Sequence, residues 1–160
     1  MRGITTIAGG SVMEKGKISY AGIGAAVAGV IGIIGVYSTW WETETTSYNG
    51  TADISGRLAL AMALALFAFG VAYVALSDPQ IRRAMGALAT LCAVVLCLAC
   101  VWGVSRAGDV APGATVASGL FVSGLGGVLG IAAGLLVMRD NTQADDAADE
   151  PTFSDAPASA

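Results

Sequence analysis

The residues best suited to chemistry in this chain are three cysteines, which all lie in the stretch LCAVVLCLACVWG at positions 91–103. Cys97 and Cys100 have the C-x-x-C spacing of redox pairs and metal sites, and at i and i+3 they would share one helix face. A reactive pair gains acidity near a helix N-terminus, whereas this pair lies towards the C-terminal end of an apolar run. We therefore interpret both, together with Cys92, as small apolar packing residues.

No metal or cofactor site is predicted from the residue types. The chain has no histidine, and three cysteines without a fourth ligand leave a zinc or iron–sulfur site incomplete. Quinone-linked disulfide enzymes of the membrane carry a second cysteine pair in an outer loop, and the connecting segments here contain no cysteine. Without histidine the commonest general base is also missing. The sequence therefore predicts a protein that is not an enzyme and carries no cofactor.

The composition predicts a membrane protein. Of 160 residues 55% are hydrophobic and 12% are charged, against about 25% charged residues in a typical soluble domain. The charges separate four uncharged runs at 18–39, 58–76, 84–104 and 116–138. Because about 20 helical residues cross a hydrocarbon core of about 30 Å, each run can span it. None alternates in polarity as barrel strands do. The predicted fold is an all-α, multi-pass, integral four-helix bundle of the cell membrane.

This pattern divides the chain into three parts. A cytoplasmic segment at 1–17 precedes the four-span domain at 18–138. The first run continues well past the Ala26-Val27-Ala28 triplet, which favours a retained helix over a cleaved signal peptide. The tail at 139–160 has six acidic residues and almost no large apolar side chains, so we expect it to be disordered.

The basic residues predict the orientation. Six of them fall on the side of the two termini: Arg2, Lys15, Lys17, Arg82, Arg83 and Arg139. Only Arg57 and Arg106 fall on the other side. Because the more basic side of a membrane protein faces the cytoplasm, both termini are predicted to be cytoplasmic. A long outer loop then covers 40–57. Pro79 is expected to end the second helix at Asp78, which makes the second and third helices an antiparallel hairpin.

Charges are also missing from the four runs themselves. Transporters coupled to protons or ions depend on ionisable residues inside the membrane, and small multidrug exporters need an acidic residue in their first helix. None of the four runs contains Asp, Glu, Lys or Arg. These classes of transporter are therefore excluded.

Small residues recur at helical spacing in two of the runs. The last run has Gly126, Gly130 and Gly134, and the first run has Gly24, Ala28 and Gly32. Small residues at i, i+4 and i+8 let two helix backbones approach closely in lipid. We expect both stripes to pack against helices, either within one bundle or against a partner subunit.

The first outer loop contains the remaining candidate contacts. Tyr37, Trp40 and Trp41 stand at the predicted membrane boundary, where amphipathic rings form an interfacial belt. Asn49 begins an Asn-Gly-Thr sequence, which is a candidate glycosylation site in a loop outside the cell.

Four spans, with tryptophan at the outer end of the first span and a polar first outer loop, resemble claudin-type tetraspans in topology. The W-x-x-W and C-x-x-C elements of a claudin loop are not found in this loop. The resemblance therefore implies a membrane topology and no residue roles.

Two functions are compatible with these features. The first is a non-enzymatic accessory, assembly or structural subunit that packs through its glycine-rich helix faces and presents an outer loop. The second is a small oligomeric channel or carrier, with Ser118, Ser123 and Thr90 lining a path. The expected partners are the lipid bilayer and a second copy or another membrane protein subunit, without nucleic acid. Because the runs offer so few polar side chains, the first function is favoured.

Overall fold

Four long helices and a small sheet make up the computed structural model, which describes the backbone of residues 20–148 and the side chains of 20–78 and 80–139. The elements follow one another as α1 (Tyr20–Tyr37), β1 (Thr39–Glu42), β2 (Ser47–Asn49), a 3₁₀ turn (Gly50–Ala52), α2 (Ile54–Ala75), α3 (Pro79–Ser105), α4 (Ala107–Val110), β3 (Thr115–Val116) and α5 (Ser118–Ala148). The predicted segment 1–17 and residues 149–160 of the predicted tail lie outside the described residues.

The long helices form a closed ring in which α1 and α3 each pack against α2 and α5. All four are long and apolar enough to cross a membrane. Large apolar side chains cover the outside of the ring, including Leu64, Val71, Leu98 and Leu135. Small residues and a few large ones fill its inside. Four apolar helices of this kind suggest a membrane-associated protein.

A three-stranded antiparallel sheet covers one end of the ring, in the strand order β2-β1-β3. We call the segment 38–57 together with 103–118 the cap, and the end of the bundle that it covers the cap end. Most of the described residues are helical, in agreement with the all-α prediction, but the expected loop at 40–57 contains strand residues and the first turn of α2. Aromatic and β-branched residues favour strands, and Thr39, Trp40 and Trp41 provide them.

Two helix starts also differ from the prediction. Asp53 caps the N-terminus of α2 by accepting a hydrogen bond from the Ser55 amide, so α2 begins before the uncharged run. Asp78 caps α3 in the same way through the Gln80 amide at 2.9 Å, with Pro79 as the first helical residue. Pro79 therefore begins α3, because its missing amide hydrogen costs nothing in the first turn of a helix.

The last helix extends further than predicted. Disorder was expected from residue 139, but α5 continues to Ala148. Extending an existing helix avoids the cost of nucleation, and alanine residues between 140 and 148 favour the helical state. The helix α5 therefore continues into the polar segment that follows the apolar run at 116–138.

Candidate functional site

The cap begins with a hairpin that continues directly from α1. Trp41 lies opposite Tyr48 and Glu42 lies opposite Ser47, and an irregularity in the pairing occurs between Thr39 and Trp41. Hydrogen bonds close the tip, where the Thr43 amide donates to the Thr46 carbonyl at 2.8 Å. The Thr43 hydroxyl also accepts a bond from the Thr46 amide at 3.0 Å. The tip is therefore an ordered turn that projects from the bundle.

The second connecting segment joins the same sheet through β3. Trp41 lies opposite Val116 and Glu42 lies opposite Thr115. The Ala117 amide donates to the Trp40 carbonyl at 2.8 Å. Because β1 is the central strand, the two connections at this end of the bundle form one unit.

Trp40 and Trp41 belong to β1, the central strand of this sheet, and both side chains are fully buried. The Trp40 indole N–H donates to the Gly35 carbonyl of α1 at 2.9 Å, and the Trp41 indole N–H donates to the Gly103 carbonyl of α3 at 3.0 Å. Both carbonyls belong to the last turn of a helix, where their backbone partners are the Ser38 amide at 3.2 Å and the Arg106 amide at 3.3 Å, both longer than the indole bonds. The two indoles therefore satisfy two helix ends.

The burial of these rings corrects the prediction of an interfacial position for Trp40 and Trp41. Their ring centroids are 5.4 Å apart with an angle of 68° between the planes, an edge-to-face arrangement. Two glycines leave space for the Trp40 ring, because a Cβ atom would lie 2.8 Å from the ring at Gly50 and 3.0 Å from it at Gly103. Sequence reasoning missed these two glycines, because neither belongs to a periodic stripe.

The exposed rings at the cap end are different ones. Tyr37, which was predicted to contact the boundary, has 61% of its surface exposed at the end of α1. Trp102 near the end of α3 is 43% exposed, although the sequence analysis did not single it out. Both rings are therefore exposed at the cap end of the bundle.

Charged groups join the two connecting segments at the rim of the cap. The Arg106 guanidinium contacts Asp53 at 3.3 Å and Asp109 at 3.2 Å. Burial acts to raise the pKa of the Asp53 carboxyl. Hydrogen bonds from the Ser55 side chain and backbone, the Ile54 amide and Arg106 outweigh burial, and hold this pKa below its usual value. Asp53 is therefore both the cap of α2 and the ionised partner of Arg106.

Asn49, the candidate glycosylation residue, lies at the exposed end of β2. The Thr51 hydroxyl donates a hydrogen bond of 2.7 Å to its side-chain oxygen. The two residues that define the sequence pattern are thus in direct contact. Glycosylation at Asn49 stays a prediction.

The two predicted small-residue stripes meet each other within the chain. A Cβ atom on Gly126 would lie 2.7 Å from the Gly32 amide nitrogen and 2.8 Å from the Ala28 carbonyl oxygen. Further along, Gly24 faces Ala133, whose methyl would be 3.4 Å from an added Cβ. The contact between α1 and α5 is therefore a close approach of backbones.

The other two glycines of α5 face different neighbours. A Cβ atom on Gly130 would lie 2.7 Å from the Leu66 side chain of α2 and 2.8 Å from the Ala93 methyl of α3. Gly134 lies directly against the Thr90 side chain of α3. Gly126, Gly130 and Gly134 thus pack against three helices of the same chain.

The polar residues suggested as a channel lining make bonds to helix carbonyls. The buried Ser123 hydroxyl lies 3.1 Å from the Gly119 carbonyl and 3.5 Å from the Gly32 carbonyl. The Thr90 hydroxyl donates to the Gly86 carbonyl at 2.9 Å. Ser118 is exposed at the start of α5. Within one chain these three side chains do not line a common path.

The cysteines occupy packing positions between helices. Cys100 belongs to the same apolar cluster as Trp40, and Cys92 belongs to a second cluster nearer the bundle centre. The Cys97 sulfur lies 3.9 Å from the Gly124 carbonyl of α5. All three are free thiols. In the part of the chain that the structure describes, no group of three or more Cys, Asp or Glu could hold a metal ion.

Comparison of the chain with protein-family models, with curated proteins and with solved structures gives no match. What the protein does is therefore inferred from its own residues and their geometry.

Proposed function

We propose that the protein is a non-enzymatic integral membrane subunit that presents the cap, on the outer side of the cell membrane, to a second copy or another membrane protein. In this proposal α1, α2, α3 and α5 are the four spans, and both termini are cytoplasmic. The apolar outer surface and the length of all four helices support the spanning arrangement.

The basic residues support this orientation. The end of the bundle opposite the cap has Arg82, Arg83 and Arg139, while the cap end has Arg57 and Arg106. At the cap end, Arg106 already contacts two carboxylates. The more basic end is expected to face the cytoplasm, so the cap is expected outside.

The observation that carries the proposed role is the burial of two cap residues, Trp40 and Trp41, against the ends of α1 and α3. A solvated loop needs no such anchor, whereas a surface that binds a partner benefits from being held rigidly before binding. Meanwhile the small residues of α1 and α5 are used inside the bundle, so they are not available as a helix contact for another subunit. The partner surface is therefore assigned to the cap.

A photo-crosslinking amino acid at Thr45, in the exposed tip of the hairpin, tests this proposal. We expect a discrete adduct with a second copy or another membrane protein in intact membranes. The matched control places the same amino acid at Ser77, which is exposed in the connection at the opposite end. Native mass measurement of the detergent-solubilised complex should show the same partner.

A cap-loosening variant shows whether such an adduct depends on the cap. Trp41→Ala should abolish the adduct at Thr45 while the protein still reaches the membrane. Equal adducts at Thr45 and Ser77, or an adduct unchanged in Trp41→Ala, would contradict the proposal. Ion or solute flux through liposomes that contain the purified protein would instead favour the oligomeric channel or carrier.

A further inference from the structure

The seam between α3 and α5 changes width along the bundle. Away from the cap it is closed: a Cβ atom on Gly127 would lie 2.5 Å from the Cys97 sulfur, and Gly134 lies directly against Thr90. Towards the cap, side chains lie between the helices: a Cβ atom on Gly103 would meet the Trp40 ring at 3.0 Å and the Leu120 side chain at 3.1 Å, while a Cβ atom on Gly124 would meet nothing closer than the Cys100 Cβ at 4.0 Å. The close approach of α5 to α3 is therefore found away from the cap.

The tryptophan anchor accounts for this difference. The Trp40 ring lies against Gly103 of α3, and the Leu120 side chain of α5 lies against the same glycine. All of these groups are buried in one cluster. The rings and Leu120 therefore separate the ends of the two helices.

An apolar groove of about 330 Å³ remains on the outside of this seam. One wall is a face of α3 that includes Cys97, Val101 and Val104, and the other is a face of α5 that includes Phe121, Gly124 and Val128. Each set follows the spacing of a helix face, so the groove runs along the helix axes. Val101 and Phe121 are 68% and 65% exposed at its rim. Apart from thiols, no polar side chain lines it.

The dimensions of the groove decide what it can hold. From Cys97 to Val104 it extends about 10 Å, at 1.5 Å per residue. A cavity of about 150 Å³ holds one benzene ring, so a groove of about 330 Å³ has room for roughly twice as many carbon atoms. That is the size of a segment of one unbranched acyl chain, and far less than the backbone and side chains of a helix of the same length.

We propose that this groove binds a single acyl chain of a lipid in the outer leaflet. The inference rests on the proposed membrane-spanning arrangement and adds a specific lipid site to it. The bound chain lies parallel to α3 and α5 and fills the space left by the tryptophan anchor. It gains dispersion contacts with both walls that a chain elsewhere on the convex bundle surface makes with one helix alone.

Liposomes of phosphatidylcholine with a small fraction carrying a diazirine in one acyl chain provide the test. After illumination, peptide mass spectrometry should find adducts concentrated on Val101, Val104 and Phe121. Leu98 and Leu125 are the comparison positions, because they lie at similar depth with 61% and 53% exposure but outside the groove.

Gly124→Leu should fill the groove and remove the enrichment, leaving the groove residues labelled no more than Leu98 and Leu125. The fold should persist, because a Cβ atom at Gly124 meets nothing closer than 4.0 Å. Ala132→Leu is the matched control on the exposed face of the same helix, and it should keep the enrichment.

Labelling spread evenly over exposed residues in the parent would overturn the acyl-chain site. So would enrichment unchanged in Gly124→Leu, or a crosslink between two copies through Val101 and Phe121. Absence of lipid adducts from all four long helices would instead overturn the membrane-spanning proposal, so the two failures are distinguishable.

Discussion

At the scale of single residues, two adjacent tryptophans hold the cap to two different helices. Trp40 bonds to the end of α1 and Trp41 bonds to the end of α3. Neighbouring residues of a strand normally point to opposite faces, but the pairing irregularity between Thr39 and Trp41 coincides with the burial of both rings. One short strand therefore links helices that are far apart in sequence.

Truncation of Trp41 should lower the stability of the protein strongly. Trp41→Ala removes a fully buried ring, and such changes cost about 3–5 kcal/mol. Trp41→Phe keeps an aromatic ring but removes the hydrogen bond to the Gly103 carbonyl. We expect this change to lower the free energy of unfolding by about 1 kcal/mol for the lost bond, with a further small loss for the cavity left by the smaller ring. Thermal unfolding in detergent should rank the parent above Trp41→Phe and Trp41→Ala lowest. Trp102→Phe, at a half-exposed ring, is the control, and an equal loss there would contradict the anchoring role.

Asp53 should make stability depend on pH on the acidic side. Its pKa is lower in the folded protein than in the unfolded chain, where it is about 4, so folding favours the ionised form. This contribution is complete above the unfolded value and is lost as the pH falls through the folded pKa. Asp53→Asn keeps a residue able to cap α2 but removes the charge that faces Arg106.

Melting temperatures measured from pH 7 down to about 3 test this expectation. The parent should exceed Asp53→Asn at neutral pH, and the difference should shrink in acid. A similar substitution at the exposed Glu44, Glu44→Gln, should change little across the range. A constant difference between Asp53→Asn and the parent would show that the charge is not responsible.

At the scale of elements, α5 explains how one glycine stripe serves three neighbours. Four residues advance a helix by about 400°, so a spacing of four drifts by about 40° at each step. Gly126 accordingly faces α1, Gly130 faces Leu66 and Ala93 near the bundle centre, and Gly134 faces α3. The stripe therefore closes the ring of helices by packing α5 between its two neighbours.

Gly130→Leu should disrupt this closure without preventing insertion. A branched side chain at this position would meet Leu66 and Ala93, where even a Cβ atom would be within 2.8 Å. Leucine is more favourable than glycine in a bilayer, so the protein should still reach the membrane. Overpacking of a core costs about 1–3 kcal/mol, so we expect a lower melting temperature in detergent.

Ala61→Leu is the control, since Ala61 is exposed on α2. It should melt close to the parent. If Gly130→Leu also melts like the parent, close packing of α5 is not a source of stability.

At the scale of the whole molecule, the two ends of the bundle are built differently. The cap end has a sheet and a network of Asp53, Arg106 and Asp109, while the opposite end has a connection of residues 76–78 between α2 and α3. There Arg82 lies over the Tyr73 ring, with 4.5 Å between the guanidinium carbon and the ring centroid. Both ends have defined side-chain contacts, but among the described residues only the cap presents an extended folded surface.

Labelling of single cysteines should place these ends on opposite sides of the membrane. In a background in which Cys92, Cys97 and Cys100 are replaced by alanine, we expect normal folding, because small apolar substitutions suit packing positions. An impermeant maleimide added to intact cells should label Thr46→Cys in the cap and should not label Gln143→Cys near the end of α5. The reverse pattern would contradict the proposed orientation.

The residue pattern was sufficient to predict four long helices and the importance of small residues in two of them. Hydropathy and the small-residue spacing are local properties, and α1, α2, α3 and α5 each contain most of one predicted run. Helix ends were less accurate, because capping by Asp53 and Asp78 and propagation of α5 to Ala148 depend on single residues at the boundary.

Only the tertiary structure decided which surfaces the candidate residues occupy. Trp40 and Trp41 have the composition and position of interfacial rings, yet they are buried because β3 and the end of α3 close over them. Two other contacts also depend on the tertiary fold: the ion pair of Arg106 with Asp53, and the packing of Gly126 against Gly32. Each pair is distant along the chain, so no local pattern encodes the contact. Such contacts follow from closure of the four-helix ring, which brings both connecting segments to the same end.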